Sequence, residues 1–261
     1  MSFKTSALFI YLLLIALLTG CASTAKNLDD PWESWNRNAQ EFNDDFDDQI
    51  LKPLAKGYLF TMPEPVNNGV SNFFSNIDDI GVFINDFLQF KVSQGGMDIS
   101  RFILNSTVGI AGFIDVATML DLPKHNEDFA QTLAVWGVPS GPYLVVPFWG
   151  PSSARGATGL IGDGLMDPLN YAFLLGFTAS VIGTVAQGVD TTDRRAGFMT
   201  TEKFVDEAAI NRYDFIKSSY LQYRDYLIND GKIPEDVSFD PYMDFEDDAQ
   251  FKLDLVAPPQ E

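Results

Sequence analysis

The sequence holds one cysteine and one histidine in 261 residues. A structural zinc site takes about four Cys and His ligands and a catalytic one about three protein ligands. Neither can be assembled from these residue types, so no metal is expected, and no intrachain disulfide can form. Basic residues are also scarce, with 17 Lys and Arg against 36 Asp and Glu and a formal charge of −19. Phosphate backbones need a basic face, which excludes nucleic acid as a partner. Docking by attraction to anionic lipid head groups is excluded on the same ground. The motifs of catalysis are missing too. Gly150-Pro151-Ser152-Ser153-Ala154 lacks the final glycine of a nucleophile elbow. There is no phosphate-binding glycine loop and no His-Glu-x-x-His. His125 has Asp121, Glu127 and Asp128 nearby in sequence as partners for a general base. No nucleophile motif accompanies it, and it reads as a surface residue of a polar loop. Neither an enzyme nor a cofactor is expected.

What the chain does have is apolar surface. Hydrophobic residues make up 46% and aromatics 13%, and the mean hydropathy is −0.00 despite the charge. Charge and grease must therefore be segregated along the sequence. Residues 1–20 show one extreme, with Lys4 followed by twelve apolar residues from Ala7 to Leu18. That run is too short to span a bilayer and fits a signal peptide. Leu18-Thr19-Gly20-Cys21 looks like a bacterial lipobox, and the only cysteine of the chain falls where the lipid would be attached. Ala22 follows in place of the Asp that marks inner-membrane retention, which implies outer-membrane delivery. Cys21 is the expected lipidation site, and several acyl chains anchor stably where one is marginal. Residues 21–28 form a polar tether.

Asp29 to Asp48 is acidic, with Trp32, Trp35, Phe42 and Phe46 at helical spacing. This stripe reads as core packing. Val66 to Phe90 also keeps helical period, and Asp98 to Leu120 continues it. Gly95, Gly96, Gly109 and Gly112 interrupt these segments, so short broken helices are expected rather than long ones. From Gly137 to Pro151 seven of fifteen residues are Gly or Pro. No regular element is expected there, yet Tyr143, Leu144, Phe148 and Trp149 make it an ordered, packed loop and a candidate lipid-facing one. Pro168 to Val189 carries no charge over 22 positions. Its polar residues and glycines favour a buried or one-leaflet helix over a membrane span. Thr201 to Asn229 reads as one amphipathic helix with an aromatic stripe. Residues 230–261 carry ten acidic and two basic residues with four prolines, and are expected to be a disordered tail.

Several of these segments carry a family likeness. Asp30-Pro31-Trp32-Glu33, Asn36-Arg37, Phe42-Asn43, Leu51-Lys52-Pro53-Leu54-Ala55-Lys56-Gly57-Tyr58 and Val70-Ser71-Asn72-Phe73-Phe74 are five of them. Leu88-Gln89-Phe90-Lys91, Arg101 to Gly109, and Gly137 to Ser152 with its Gly141-Pro142-Tyr143-Leu144-Val145 complete the set. Together they resemble the MlaA (VacJ) family of phospholipid-transport lipoproteins over roughly residues 29–225. Ala130 stands where that family commonly has Gly, and Gly156 where it often has Asp.

The resemblance implies a mainly α single domain over residues 29–229, a ring of helices embedded in the outer membrane. The chain would be lipid-anchored on the periplasmic side and lie beside a trimeric outer-membrane porin. An amphipathic pore would take mislocalised phospholipid from the outer leaflet and pass it to a soluble periplasmic lipid carrier, maintaining lipid asymmetry. Arg101, Arg155, Arg194 and Arg195 are candidates for contact with the head-group phosphate, since Arg binds phosphate bidentately. Pairing with the many carboxylates is the competing use of these arginines. The rival classes are an outer-membrane phospholipase using Ser152 or Ser153 near His125, and a purely structural porin-associated lipoprotein.

Overall fold

The computed structural model describes residues 30–208 and 211–232. The signal peptide, Cys21, the tether and all of the acidic tail beyond Lys232 lie outside the described residues. Helix α1 (Glu33–Phe46) runs through one π-helical turn (Asp47–Leu51) directly into α2 (Lys52–Thr61). Extended backbone at Met62 and Pro63 then stops the rod. Helix α3 (Glu64–Leu88) starts with Pro65 in its first turn, where a missing N–H costs nothing. Phe90, at φ 64°, turns the chain so that α4 (Val92–Thr107) packs back along α3. Two short helices follow, α5 (Val116–Met119) and α6 (Phe129–Val135), each capped by an Asp. Asp115 accepts from the Thr118 N–H and Asp128 from the Gln131 N–H.

The Gly/Pro-rich stretch is a β-hairpin. Strands β1 (Tyr143–Val146) and β2 (Gly150–Ser153) pair antiparallel, with Tyr143 opposite Ser153 and Val146 opposite Gly150. Ser153 caps α7 (Ala154–Met166), and Asp167 caps a 3₁₀ helix (Pro168–Leu175). Gly176, at φ 103°, takes a conformation closed to most side chains and redirects the chain into α8 (Phe177–Ala208). Asn211 caps α9 (Arg212–Ile228) through the Tyr213 and Asp214 N–H groups.

Four expectations need correction. Helices α3 and α8 are long, at 25 and 32 residues. Gly95 and Gly96 do not break α4. A Cβ on Gly95 would lie 3.1 Å from that of Asp86, so this glycine marks a close crossing of two helices. The uncharged run from Pro168 is split at Gly176, and Leu175 and Phe177 are both largely exposed. Thr201 to Asn229 is divided between α8 and α9, because Asn211 offers its side chain as a cap and starts a new helix. Among the described residues no helix is long and apolar enough to cross a membrane.

The most deeply buried side chains are mostly polar, and many large apolar ones are exposed. Of the nine largest fully buried side chains described, only Val145 is apolar; the rest are Arg101, Gln131, Asn36, Asn85, Thr132, Asp79, Asp86 and Asp98. Phe60, Phe90, Leu175 and Phe177 are each more than 80% exposed. The aromatic stripe of α1 follows the same rule. Trp32, Trp35 and Phe42 stay about half exposed, and Asn36 and Ala39 are the buried residues of that helix. A water-soluble domain buries its large apolar side chains. Exposed apolar surface on this scale marks contact with lipid or with another protein.

Candidate functional site

The hairpin is held on α1 by asparagines. Asn36 Nδ2 donates to the Tyr143 carbonyl at 3.0 Å, and its Oδ1 accepts from the Val145 N–H at 2.8 Å. Seven residues on, two helical turns away, Asn43 Nδ2 donates to the Val146 carbonyl at 3.1 Å and Oδ1 accepts from the Phe148 N–H at 2.6 Å. Trp35 Nε1 adds a bond to the Val145 carbonyl at 3.1 Å. The two asparagines thus stand in for a third strand along the open edge of β1. Phe148 sits at φ 69°, an unfavourable conformation for a bulky residue. Its amide bond to Asn43 and edge-to-face contacts with Phe42 and Phe46, at 5.0 and 5.1 Å, hold it there.

Below the hairpin a second set of bonds ties α1 to α9. Asp30 accepts from the Tyr213 hydroxyl at 2.6 Å, Lys217 Nζ at 2.8 Å and Asn36 Nδ2 at 3.3 Å. Burial alone would raise this carboxyl, but the bonds from Lys217 and Tyr213 hold it below its ordinary value. Tyr143 packs against Tyr213 and Tyr220 in the same cluster and is only 4% exposed.

Helix α8 separates two cavities. One, of about 340 Å³, lies under the hairpin, with Val145, Phe148, Phe198 and Ile216 as greasy wall and Arg195 and Asp47 as polar end. The other, of about 580 Å³, is more polar and lies between α3, the loop before α6, α7 and α9. Arg194 faces the second cavity and Arg195 the first, while Phe198, one turn further along, lines both.

The candidate arginines separate accordingly. Arg101 is 1% exposed and bonded to Asp115, Thr118 and the Leu122 carbonyl, with Asp79 beside it. It is an interior tie between α4 and the following loop, and its assignment to head-group contact is withdrawn. Burial would raise Asp115, yet bonds from Thr118 and Asn105 and the Arg101 charge bring it down to about 2. Arg195 pairs with Asp47 and Glu202 and Arg194 with Asp190 and Asp78, both at cavity walls. Arg155 donates to the Val138 carbonyl at 2.9 Å, and among the described residues no carboxylate comes within ion-pair distance of it. Of the hairpin residues, Phe148 and Trp149 are exposed at 58% and 68%, Leu144 is half-buried, and Tyr143 is core and not lipid-facing.

The remaining chemistry is structural. His125 is not a free side chain of a polar loop: it is half-buried, and its Nδ1 lies 3.0 Å from the buried carboxylate of Asp98. Ser153 Oγ caps α7 and Ser152 Oγ contacts the Ser153 carbonyl, so among the described residues neither serine is bonded to His125. Asp47, Asp48 and Glu202 gather their oxygens within 4.8 Å, a spacing that suits a cation. Lys52 and Arg195 already occupy that role. Asn36 and Asn43 lie in segments that carry the family likeness, but the sequence assigns them no role; their spacing of seven on an aromatic helix is the available signal.

A helical body with a polar interior, an apolar exterior and cavities lined by both kinds of side chain defines a class: proteins that handle amphiphiles at an apolar boundary. The comparisons are specific. The chain belongs to the MlaA lipoprotein family, whose model matches residues 28–227. It is 33% identical over 224 residues to the intermembrane phospholipid transport system lipoprotein MlaA of Escherichia coli K12, covering 83% of this chain and 86% of that one. The MlaA lipoprotein of Haemophilus influenzae is 30% identical over 243 residues, covering 89% and 94%. A solved structure described as "Structural basis for maintenance of bacterial outer membrane lipid asymmetry" superposes with a TM-score of 0.64 and 31% identity. It covers 77% of this chain and 99% of that one.

Proposed function

We infer that this chain is an outer-membrane phospholipid-transport lipoprotein. It removes mislocalised phospholipid from the outer leaflet and delivers it to a soluble periplasmic carrier, so keeping the two leaflets different. The inverted distribution of side chains carries this reading. Buried Arg, Asp, Asn and Gln beneath exposed Phe, Leu and Trp suit a body surrounded by acyl chains and traversed by head groups. Backbone facing lipid must satisfy its own hydrogen bonds, and helices do so. Acyl chains on Cys21 would anchor the periplasmic side, a ring of helices would form the amphipathic pore, and a trimeric porin would cover part of the apolar exterior. Arg194 and Arg195 at the cavity walls, and Arg155, which has no carboxylate within ion-pair distance among the described residues, are the cations offered to a lipid phosphate. No bond of the lipid is broken in this scheme, so no catalytic group is required.

The test is mass spectrometry of lipid co-purified with the full-length protein, together with transfer of labelled phospholipid from vesicles to a periplasmic acceptor. Diacyl phospholipid, intact and transferred, is the expected result. Lyso-lipid products that disappear in His125→Ala would favour a phospholipase. Purification free of lipid with no transfer would leave only a structural role.

A further inference from the structure

We propose that the larger cavity is a head-group subsite for phospholipids bearing a primary ammonium, the ethanolamine type, and disfavours anionic head groups. This inference rests on the phospholipid-transport reading. Five carboxylates line the cavity, Asp78, Glu127, Asp128, Asp163 and Asp167, with the guanidinium groups of Arg194 and Arg224. Three of the five have cations: Asp78 pairs with Arg194, Asp128 with Arg224, and Glu127 with Lys91 from outside the cavity. Among the described residues no cation lies within ion-pair distance of Asp163 or Asp167, though the Arg224 charge and an Asn85 contact act on Asp163. Asp163 accepts from the Phe129 N–H at 2.7 Å and Asp167 from the Leu169 N–H at 2.8 Å. Even with Lys91 counted from outside, the cavity's five carboxylates exceed the cations paired with them by two.

An independent observation comes from Gln131 on the same wall. This side chain is 2% exposed, and its Nε2 is fixed by donation to the Asn126 carbonyl at 3.0 Å. That bond sets the amide's orientation and leaves Oε1 as a buried acceptor with no donor. A buried acceptor left unpaired is costly, which makes it a place for an incoming N–H. An ammonium brings three donors, and this cavity's wall holds two carboxylates without an ion-pair partner among the described residues and the residue that carries the unpartnered amide oxygen. The phosphate of the same head group, two carbons away, has Arg194 within the cavity. That side chain is half exposed, and Nη1 makes no hydrogen bond among the described residues. A phosphoglycerol head group would add its negative charge to an already negative wall and supply no cation for Asp163 or Gln131. Like charges in a partly desolvated space repel strongly. A choline head group supplies the charge but no N–H donor.

The experiment uses the full-length lipidated protein in nanodiscs of phosphatidylethanolamine, phosphatidylglycerol or phosphatidylcholine with identical acyl chains, with retained lipid counted by native mass spectrometry. Retention should be about tenfold higher for ethanolamine than for glycerol lipid, with choline between them, as expected when a charge-assisted hydrogen bond is gained. Asp163→Asn keeps the shape and should narrow the difference to about twofold, as should Gln131→Leu; Gln131→Glu should widen it. Melting temperatures of the variants within a few degrees of wild type show that the fold survives, and Asp163→Asn, which keeps the acceptor for the Phe129 N–H, gives an answer even where the Gln131 variants unfold. Equal retention of the three lipids, or a preference unmoved by all three variants, overturns the subsite. Failure to retain any diacyl lipid overturns the transport reading instead.

Discussion

At the scale of single residues, the buried charges decide more than the exposed ones. Arg101 lies between Asp79 and Asp115 with almost no access to solvent. Removing one member of a buried ionic group leaves the others uncompensated, at a cost of roughly 3–5 kcal/mol. Arg101→Ala should therefore lower the unfolding free energy in a fixed detergent by that much, measured by urea titration. Arg155→Ala, which breaks no ion pair among the described residues, should stay within about 0.5 kcal/mol of wild type. The sequence placed all four candidate arginines in one class because charge type says nothing of burial. Asp78, Asp79, Asp190 and Asp193 are ordinary acidic letters until the helices bring two of them onto Arg194 and one beside Arg101.

The hairpin and the helix beneath it behave as a unit at the scale of elements. Asn43→Ala removes the acceptor of the Phe148 N–H and the donor to the Val146 carbonyl, so the turn loses its hold while the Asn36 bonds remain. Amide exchange at Phe148 should quicken about tenfold or more, an opening made easier by roughly 1–3 kcal/mol. Unchanged exchange at that amide, read by hydrogen–deuterium exchange, would mean the clamp holds nothing. This region was only half legible beforehand. The density of Gly and Pro from Gly137 to Pro151 announced an ordered, unusual segment. It hid the strands, because four-residue strands paired to side-chain amides need no β-rich sequence of their own. The aromatic stripe of α1 was legible as a helix face and misread as core. Periodicity reports which residues share a face, and the surroundings decide whether that face meets protein or lipid. The boundary at Asn211 was lost because a continuous hydrophobic period ran across a helix cap.

For the whole molecule, polar burial has a signature in pH. The Asp86 carboxyl, buried and facing Asp98 and Glu127, is pushed up to about 8, with Lys91 opposing that shift. An unfolded Asp titrates near 4. Between about pH 4 and 8 the folded chain keeps a proton that the unfolded chain releases, so this group's contribution to stability falls as pH rises through that window. Asp86→Asn, which holds its donor at every pH, should flatten the decline in melting temperature between about pH 5 and 8. A slope as steep as that of wild type would show that Asp86 is not the group responsible. Overall charge and hydropathy had already required segregation of polar and apolar residues. Which kind went inside was not written in composition, since the same letters can build either arrangement.

The break at Gly176 bears on how the folded body can meet apolar surroundings. Pro168 to Val189 is uncharged for 22 residues, enough to cross a bilayer if it formed one helix. Divided at Gly176 into a 3₁₀ helix and the start of α8, and sprinkled with Asn170, Thr178, Ser180, Thr184 and Gln187, it forms no such helix. One glycine thus turns a stretch long enough for a span into an elbow, with the exposed Leu175 and Phe177 on either side of the bend.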